Sequence, residues 1–298
     1  MRRARWMAAT AIAGVWLTIT AAEAATPVKV VDSPAWEFGS AAGGDWLAWS
    51  RGQTLGGDYD LYVKQAGQPA DVVEPGQYQD VGNIDLGNTT YGDVLIYSVG
   101  RRGNDAEIRL YDLATGDVSN PPDGVNTAKD EDNPSISGDH LLFGRGPAEG
   151  LFSKRVYLYD IGTTDLTPIA EAPSGGSITA NSVRGDYATY TRCPASARCD
   201  VFRYQISTGT KVKMPNPGRA TYWSSVLDDG TVYFVQGSPA FCGVKTKIMR
   251  YVDGTVTKLY RFPDGIEIAD LDAVDPVVYF TRINCLRNYR SGIWKIDG

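Results

Sequence analysis

Histidine is almost missing from this 298-residue chain, where His140 is the only one. Histidine-rich metal sites are thereby excluded, and a proton shuttle would rest on His140 alone, which reads as a turn-flanking residue at the start of a strand on the face opposite the long loops. No GxSxG string occurs, so a serine hydrolase elbow has no nucleophile signal. Cysteine is scarce, at four residues, and no pair has CxxC spacing, which argues against a zinc ribbon or a dithiol redox site. A basic surplus is lacking as well: 29 Lys and Arg face 35 Asp and Glu, for a net charge of −6. Phosphate backbones and anionic bilayers need a basic face, so neither nucleic acid nor a membrane surface is expected as the partner. There is no low-complexity linker to divide the chain, and no convincing helical periodicity.

Two remaining motif-like strings fail on detail. GRGPAEG has the wrong spacing for a dinucleotide loop, and DEDNPSISGDHL lacks the Gly and Glu of an EF-hand. Asn88 with Thr90 forms one glycosylation sequon, which matters only in a host that glycosylates.

The N-terminal stretch joins Arg2, Arg3 and Arg5 to an apolar segment and a small-x-small site at Ala22, Glu23 and Ala24. This reads as a secretory signal peptide over residues 1–24, because the apolar part is shorter than the roughly 20 residues of a span. Cleavage there removes three arginines and one glutamate and moves the formal charge from −6 to −8. The expected product is a secreted or periplasmic protein, residues 25–298, with no membrane insertion after cleavage. Four cysteines in an exported chain point to two disulfides. Cys193 and Cys199 flank a short loop between strand-like runs, and Cys242 and Cys285 lie in corresponding loops of neighbouring repeats. Of three connectivities, Cys193 with Cys199 and Cys242 with Cys285 is favoured.

What the chain does have is a repeat. Aromatic residues close one apolar run at Trp49, Tyr97, Phe143, Tyr190, Phe234 and Phe280, in steps of 48, 46, 47, 44 and 46 residues. A second series falls at Tyr62, Tyr111, Tyr159, Tyr204, Tyr251 and Trp294. A period near 46 residues, with several short β-type runs per unit, predicts an all-β, six-bladed β-propeller of four-stranded blades. The third unit is the clearest, as NPSISGD, HLLFGRG, KRVYLYDI and TDLTPIAEA. The sixth stops after its third strand, and TPVKVVDSP near the N-terminus has the look of the missing fourth, so the two chain ends should close the ring.

Units such as GDWLAWSRGQ with DYDLYVKQAGQ, SGDHLLFGRG with RVYLYDIGT, and RGDYATYTRC with VFRYQIST resemble the TolB-type, WD40-like (PD40) six-bladed propellers. Val99 and Gln236 depart from the Arg carried elsewhere at that position, and the GH and WD signatures of true WD40 repeats are absent. The resemblance implies the fold. Relatives of this kind serve as periplasmic protein-binding modules, as parts of peptidases and as extracellular proteins of unknown role.

In such blades the D-to-A and B-to-C loops share one face of the disc. The D-to-A loops place Trp36, Glu37, Asp80, Asp130, Glu131, Asp132, Tyr222, Trp223 and Glu267 there; the B-to-C loops add Arg101, Arg102, Lys154, Arg155, Arg198, Lys245, Lys247, Arg287 and Arg290. Acids beside aromatic rings suit a saccharide, a cation or a basic peptide. The expected function is a non-enzymatic protein- or ligand-binding module whose contacts are Trp36, Glu37, Asp80, Asp130, Asp132, Tyr222 and Trp223. Two alternatives stand beside it. One is a saccharide-binding propeller; the other is a calcium-dependent lactonase or hydrolase, as in lactonase-type propellers, with Glu37, Asp80, Asp132, Asn181 and Asp270 as ligands. Arg51, Arg145, Arg192 and Arg282 recur at one repeat position, which predicts a structural pairing with loop carboxylates.

Overall fold

The computed structural model describes residues 25–298 apart from 54–58, 74–79, 91, 101–105, 149–151, 196–197, 217, 238–241, 243–244 and 288, and of 80–82 the backbone alone. The expected signal peptide, Arg101, Arg102 and the side chain of Asp80 therefore lie outside the described residues.

Six antiparallel sheets of four strands are present, and no helix occurs among the described residues. The innermost strands are β2 (Trp36–Gly43), β6 (Asp80–Thr89), β10 (Glu131–Ser137), β14 (Ser177–Arg184), β18 (Ala220–Val226) and β22 (Ile266–Val274). Each packs against the next around the ring, and β22 packs against β2. Blades one to five run outward in chain order, for example β10, β11 (His140–Arg145), β12 (Arg155–Asp160) and β13 (Leu166–Glu171). The sixth is β22, β23 (Val277–Asn284), β24 (Arg290–Asp297) and then β1 (Val28–Val31) from the other end of the chain. Val28 faces Lys295 and Val31 faces Ile293, so the N-terminal strand covers the edge that β24 would otherwise leave open.

The strand-B aromatics are the pegs of this architecture. Trp49, Tyr97, Phe143, Tyr190, Phe234 and Phe280 are all buried. The second aromatic series mixes two positions. Tyr62 and Trp294 do face Trp49 and Phe280 directly, but the residues opposite Tyr97, Phe143, Tyr190 and Phe234 are Arg109, Tyr157, Phe202 and Met249. Tyr111, Tyr159, Tyr204 and Tyr251 lie two residues further on and so share the face without being the partner. The rings stack at 5.7 Å for Trp49 on Tyr62, 5.7 Å for Phe143 on Tyr157 and 5.2 Å for Tyr190 on Phe202.

Clusters of buried apolar side chains fill five seams between consecutive blades, from the one built on Leu61, Leu95 and Tyr97 between blades one and two to the one built on Val235, Ile268 and Phe280 between five and six. No cluster of comparable extent forms at the sixth seam among the described residues. Inside, polar bonds join blade one to blade six there: the Glu37 amide donates to Ser291 Oγ and the Ala42 amide to Asp272 Oδ2.

Candidate functional site

Every innermost strand carries a register shift near its middle: between Phe38 and Ser40, Gly82 and Ile84, Asp132 and Ser135, Ala180 and Ser182, Tyr222 and Ser224, and Ile268 and Asp270. A bulge of this kind leaves an extra residue unpaired and re-aims its side chain. Here the bulges supply the lining of the central channel. Asn83, Asn133, Asn181 and Trp223, with Ser224 and Asp270, surround a cavity of about 30 Å³, room for one or two waters. Four bulge residues adopt positive φ: Gly39 (57°), Asn83 (48°), Asn133 (50°) and Trp223 (41°). Glycine and asparagine tolerate this region; for Trp the left-handed backbone costs on the order of 1 kcal/mol.

Of the residues expected at a site, Trp223, Asn181 and Asp270 converge on this cavity. The other acids are engaged within the protein. Glu37 is fully buried and accepts from Arg51 Nε at 2.9 Å and from Ser33 Oγ. Glu131 is held in the same way by Arg145 Nε at 2.7 Å and Thr127 Oγ1 at 2.7 Å. The structural pairing expected for the repeated arginines therefore holds at Arg51 and Arg145, which also lie over the aromatic rings of Tyr62 and Tyr157. Arg282 lies over Trp294, while Arg192 is exposed. Asp130 accepts from the Ala106 amide. Asp132 accepts from Ser153 Oγ, and its burial raises the carboxyl above the usual range. Tyr222 turns away from its neighbour Trp223 and donates to Glu267 Oε1 at 3.1 Å, while Glu267 Oε2 accepts from the Cys242 amide. Trp36 stacks on Phe38 at 5.9 Å, outside the cavity lining. Among the described residues no group of three or more His, Cys, Asp or Glu is placed to hold a metal ion.

Two features of the channel were not visible in the sequence reading. The first is the set of bulge asparagines, of which the sequence points to Asn181 alone; Asn83 and Asn133 occupy the corresponding bulges of blades two and three. A repeat alignment of the innermost strands, rather than of the aromatic strands, carries that signal. The second is a buried ion network nearer the A-to-B turns. Arg184 Nη2 and Nη1 donate to the two oxygens of Asp85 at 2.7 and 2.9 Å, and Nη2 stands 3.8 Å from Asp272. Asp85 also accepts from Ser135 Oγ and the Ile136 amide. Asp272 accepts from the Ala42 amide and Ser225 Oγ, and Asp270 from the Ser40 amide at 2.6 Å. All six blades contribute to this network. Burial raises Asp270 to about 6; burial raises Asp272 to about 7 against the opposing pull of Arg184. Burial acts to lower Arg184, but Asp85 outweighs it and holds the guanidinium above its ordinary value. Beyond Arg184 the channel opens on the opposite face as a funnel of about 490 Å³ with Asp228, Asp229 and Asp275 on its wall.

Both expected disulfides are formed. Cys193–Cys199 closes a six-residue separation within blade four, and Cys242–Cys285 joins the B-to-C loops of blades five and six across 43 residues.

No family model matches the chain, and no curated protein sequence matches it. Solved structures do. Putative TolB from Agrobacterium tumefaciens is 13% identical with a TM-score of 0.59, the match covering 89% of this chain and 91% of that one. TolB from Acinetobacter baumannii is 14% identical with a TM-score of 0.51; the match covers 82% of this chain but spans only 61% of that one. The β-propeller domain of the trilobed protease from Pyrococcus furiosus, described as having an open velcro topology, is 12% identical with a TM-score of 0.54 over 89% and 96%. This chain differs from that description in pairing β1 with β24. Six four-stranded blades, two interblade anchors of backbone and sulfur, and these likenesses together give the chain the fold of the TolB-like six-bladed β-propellers.

Proposed function

We propose that this protein is an exported, non-enzymatic binding module that takes a protein or saccharide partner on the face carrying the D-to-A and B-to-C loops. The observation that carries the reading is Trp223. A bulky ring is kept in a left-handed bulge, at the cavity, where the other left-handed bulges use Gly39, Asn83 and Asn133. Backbone strain that persists in a packed ring is a pointer to function. Trp223 sits among amide groups and one carboxyl, and Trp36 offers a second ring at the start of the blade-one strand. Rings beside hydrogen-bonding amides suit peptide or sugar recognition. Export is supported by the two disulfides, which form in oxidising compartments.

The test is capture from the exported protein fraction of the native host with immobilised wild-type protein and with a Trp223→Ala, Asp132→Asn double variant. The variant is expected to melt cooperatively, at a lower midpoint because Trp223 packs against the core between blades five and six, and to lose the partner; a partner retained in full would remove this face from consideration.

Calcium-dependent hydrolysis is the second reading, favoured by Asn181 and Asp270 sharing one cavity. Glu37 is committed to Arg51, so Asp270 and Asn181 would be its central ligands. Calcium bound only by the folded state raises the melting midpoint by mass action. If the binding-module reading holds, neither calcium nor chelator shifts the midpoint; a saturable rise reversed by chelator would put hydrolysis first.

A further inference from the structure

At the sixth seam a cleft of about 500 Å³ separates blade six from blade one. At the other seams apolar side chains from both blades interlock. Here Leu47 and Trp49 line the blade-one side and Tyr279 the blade-six side, while Trp46 borders the cleft but packs against the core between blades one and two. What this seam lacks, relative to the others, is an aromatic-sized apolar filling. Trp49 is only 2% exposed, yet its indole Nε1 has no hydrogen-bond acceptor among the described residues. A buried donor without a partner is uncommon in folded proteins and marks a place where a ligand atom or water belongs.

The charges of the cleft narrow the chemistry. Arg51 is neutralised by Glu37, and Asp32 is paired with Lys29. That leaves Lys64 and Asp45, both exposed and lining the cleft, and neither in an ion pair among the described residues. One unpaired charge of each sign beside Leu47, Trp49 and Tyr279 matches a zwitterion with a ring. The volume falls within the usual range of small-molecule sites.

We propose that the seam cleft binds an aromatic amino acid, its ring against Leu47 and Tyr279, its carboxylate toward Lys64 and its ammonium toward Asp45. The site is separate from the channel, so it stands or falls independently of the partner face.

Calorimetric titration of the oxidised protein with L-phenylalanine tests it, with 3-phenylpropionate and phenethylamine as analogues bearing one charge each. One saturable site with a Kd of about 1 mM is expected for a ligand of this size. Each analogue should bind about threefold to fivefold more weakly, the worth of one exposed ion pair. Lys64→Gln should bring L-phenylalanine down to the level of phenethylamine, and Asp45→Asn to that of 3-phenylpropionate. Ala70→Trp, placed on the cleft wall in an exposed position, should abolish binding of all three, and Tyr279→Ala should weaken all three; Trp223→Ala should change none. Absence of saturable binding to wild-type protein overturns the proposal. So does binding that survives both Ala70→Trp and Tyr279→Ala in variants shown by melting to be folded, and analogues binding as well as the amino acid would overturn the zwitterion assignment.

Discussion

Asp270 and Asp272 carry a pH signature that follows from where they sit. Burial raises Asp270 to about 6 and Asp272 to about 7, against ordinary values near 4. Between those limits the folded protein holds protons that the unfolded chain has released. The unfolded state then binds fewer protons, so the contribution of these two groups to stability is fully present at about pH 4 and is lost as pH rises to about 7. Asp270→Asn keeps an acceptor for the Ser40 amide but cannot ionise, so the variant should lose stability less steeply with rising pH than wild type. Urea midpoints measured from about pH 4 to about pH 8 read this directly; parallel curves would show that Asp270 is already ionised when buried. The loop acids are likewise less available than their positions in the sequence suggest. Glu37 and Glu131 are held by arginines 14 residues later in the chain, a spacing set by the hairpin of the first two strands.

At the scale of the element, β1 is four residues long and largely exposed, yet it supplies the whole outer edge of blade six. A strand is stabilised by its ladder as well as by burial, and a bare β24 edge would invite pairing with other chains. Deleting residues 26–32 should lower the melting midpoint of the entire ring and promote association, because the sixth seam has the thinnest apolar packing to compensate. An unchanged midpoint would mean that the Cys242–Cys285 link and the polar bonds from Glu37 and Ala42 hold the seam without it. This closure was legible beforehand because a unit lacking its last strand, at one end, matched an orphan strand at the other. Register was less legible: aromatic residues at alternate positions share a face, so the pattern alone could not say whether Tyr157 or Tyr159 opposes Phe143.

Across the whole molecule the Arg184 network acts as a pin. Arg184 from blade four binds Asp85 from blade two, 99 residues away in sequence, and approaches Asp272 from blade six. Arg184→Met would strand two buried carboxylates, and removing one partner of a buried pair typically costs about 3–5 kcal/mol. The expected result is a large drop in urea midpoint near neutral pH that shrinks in acid, where the stranded acids take up protons. A drop that is equal at all pH values would assign the loss to packing instead.

The sequence by itself determined the number of blades, the strand order within each and the ring closure, and it favoured one of three disulfide pairings. All of these rest on local periodicity or on matching loops of adjacent repeats, and such information is written in consecutive residues. Only the tertiary structure decided what fills the channel and what the seams expose. Asn83, Asn133, Asn181 and Trp223 meet because bulges in separate blades turn them inward, and Asp270, next to the bulge of blade six, joins them. Arg184 finds Asp85 rather than a nearer acid because the ring folds distant turns onto one axis. The seam cleft exists because the last blade meets the first across surfaces that no neighbouring repeat was built to match. Convergence of this kind depends on closing a circle, and no stretch of the chain shorter than the whole ring contains it.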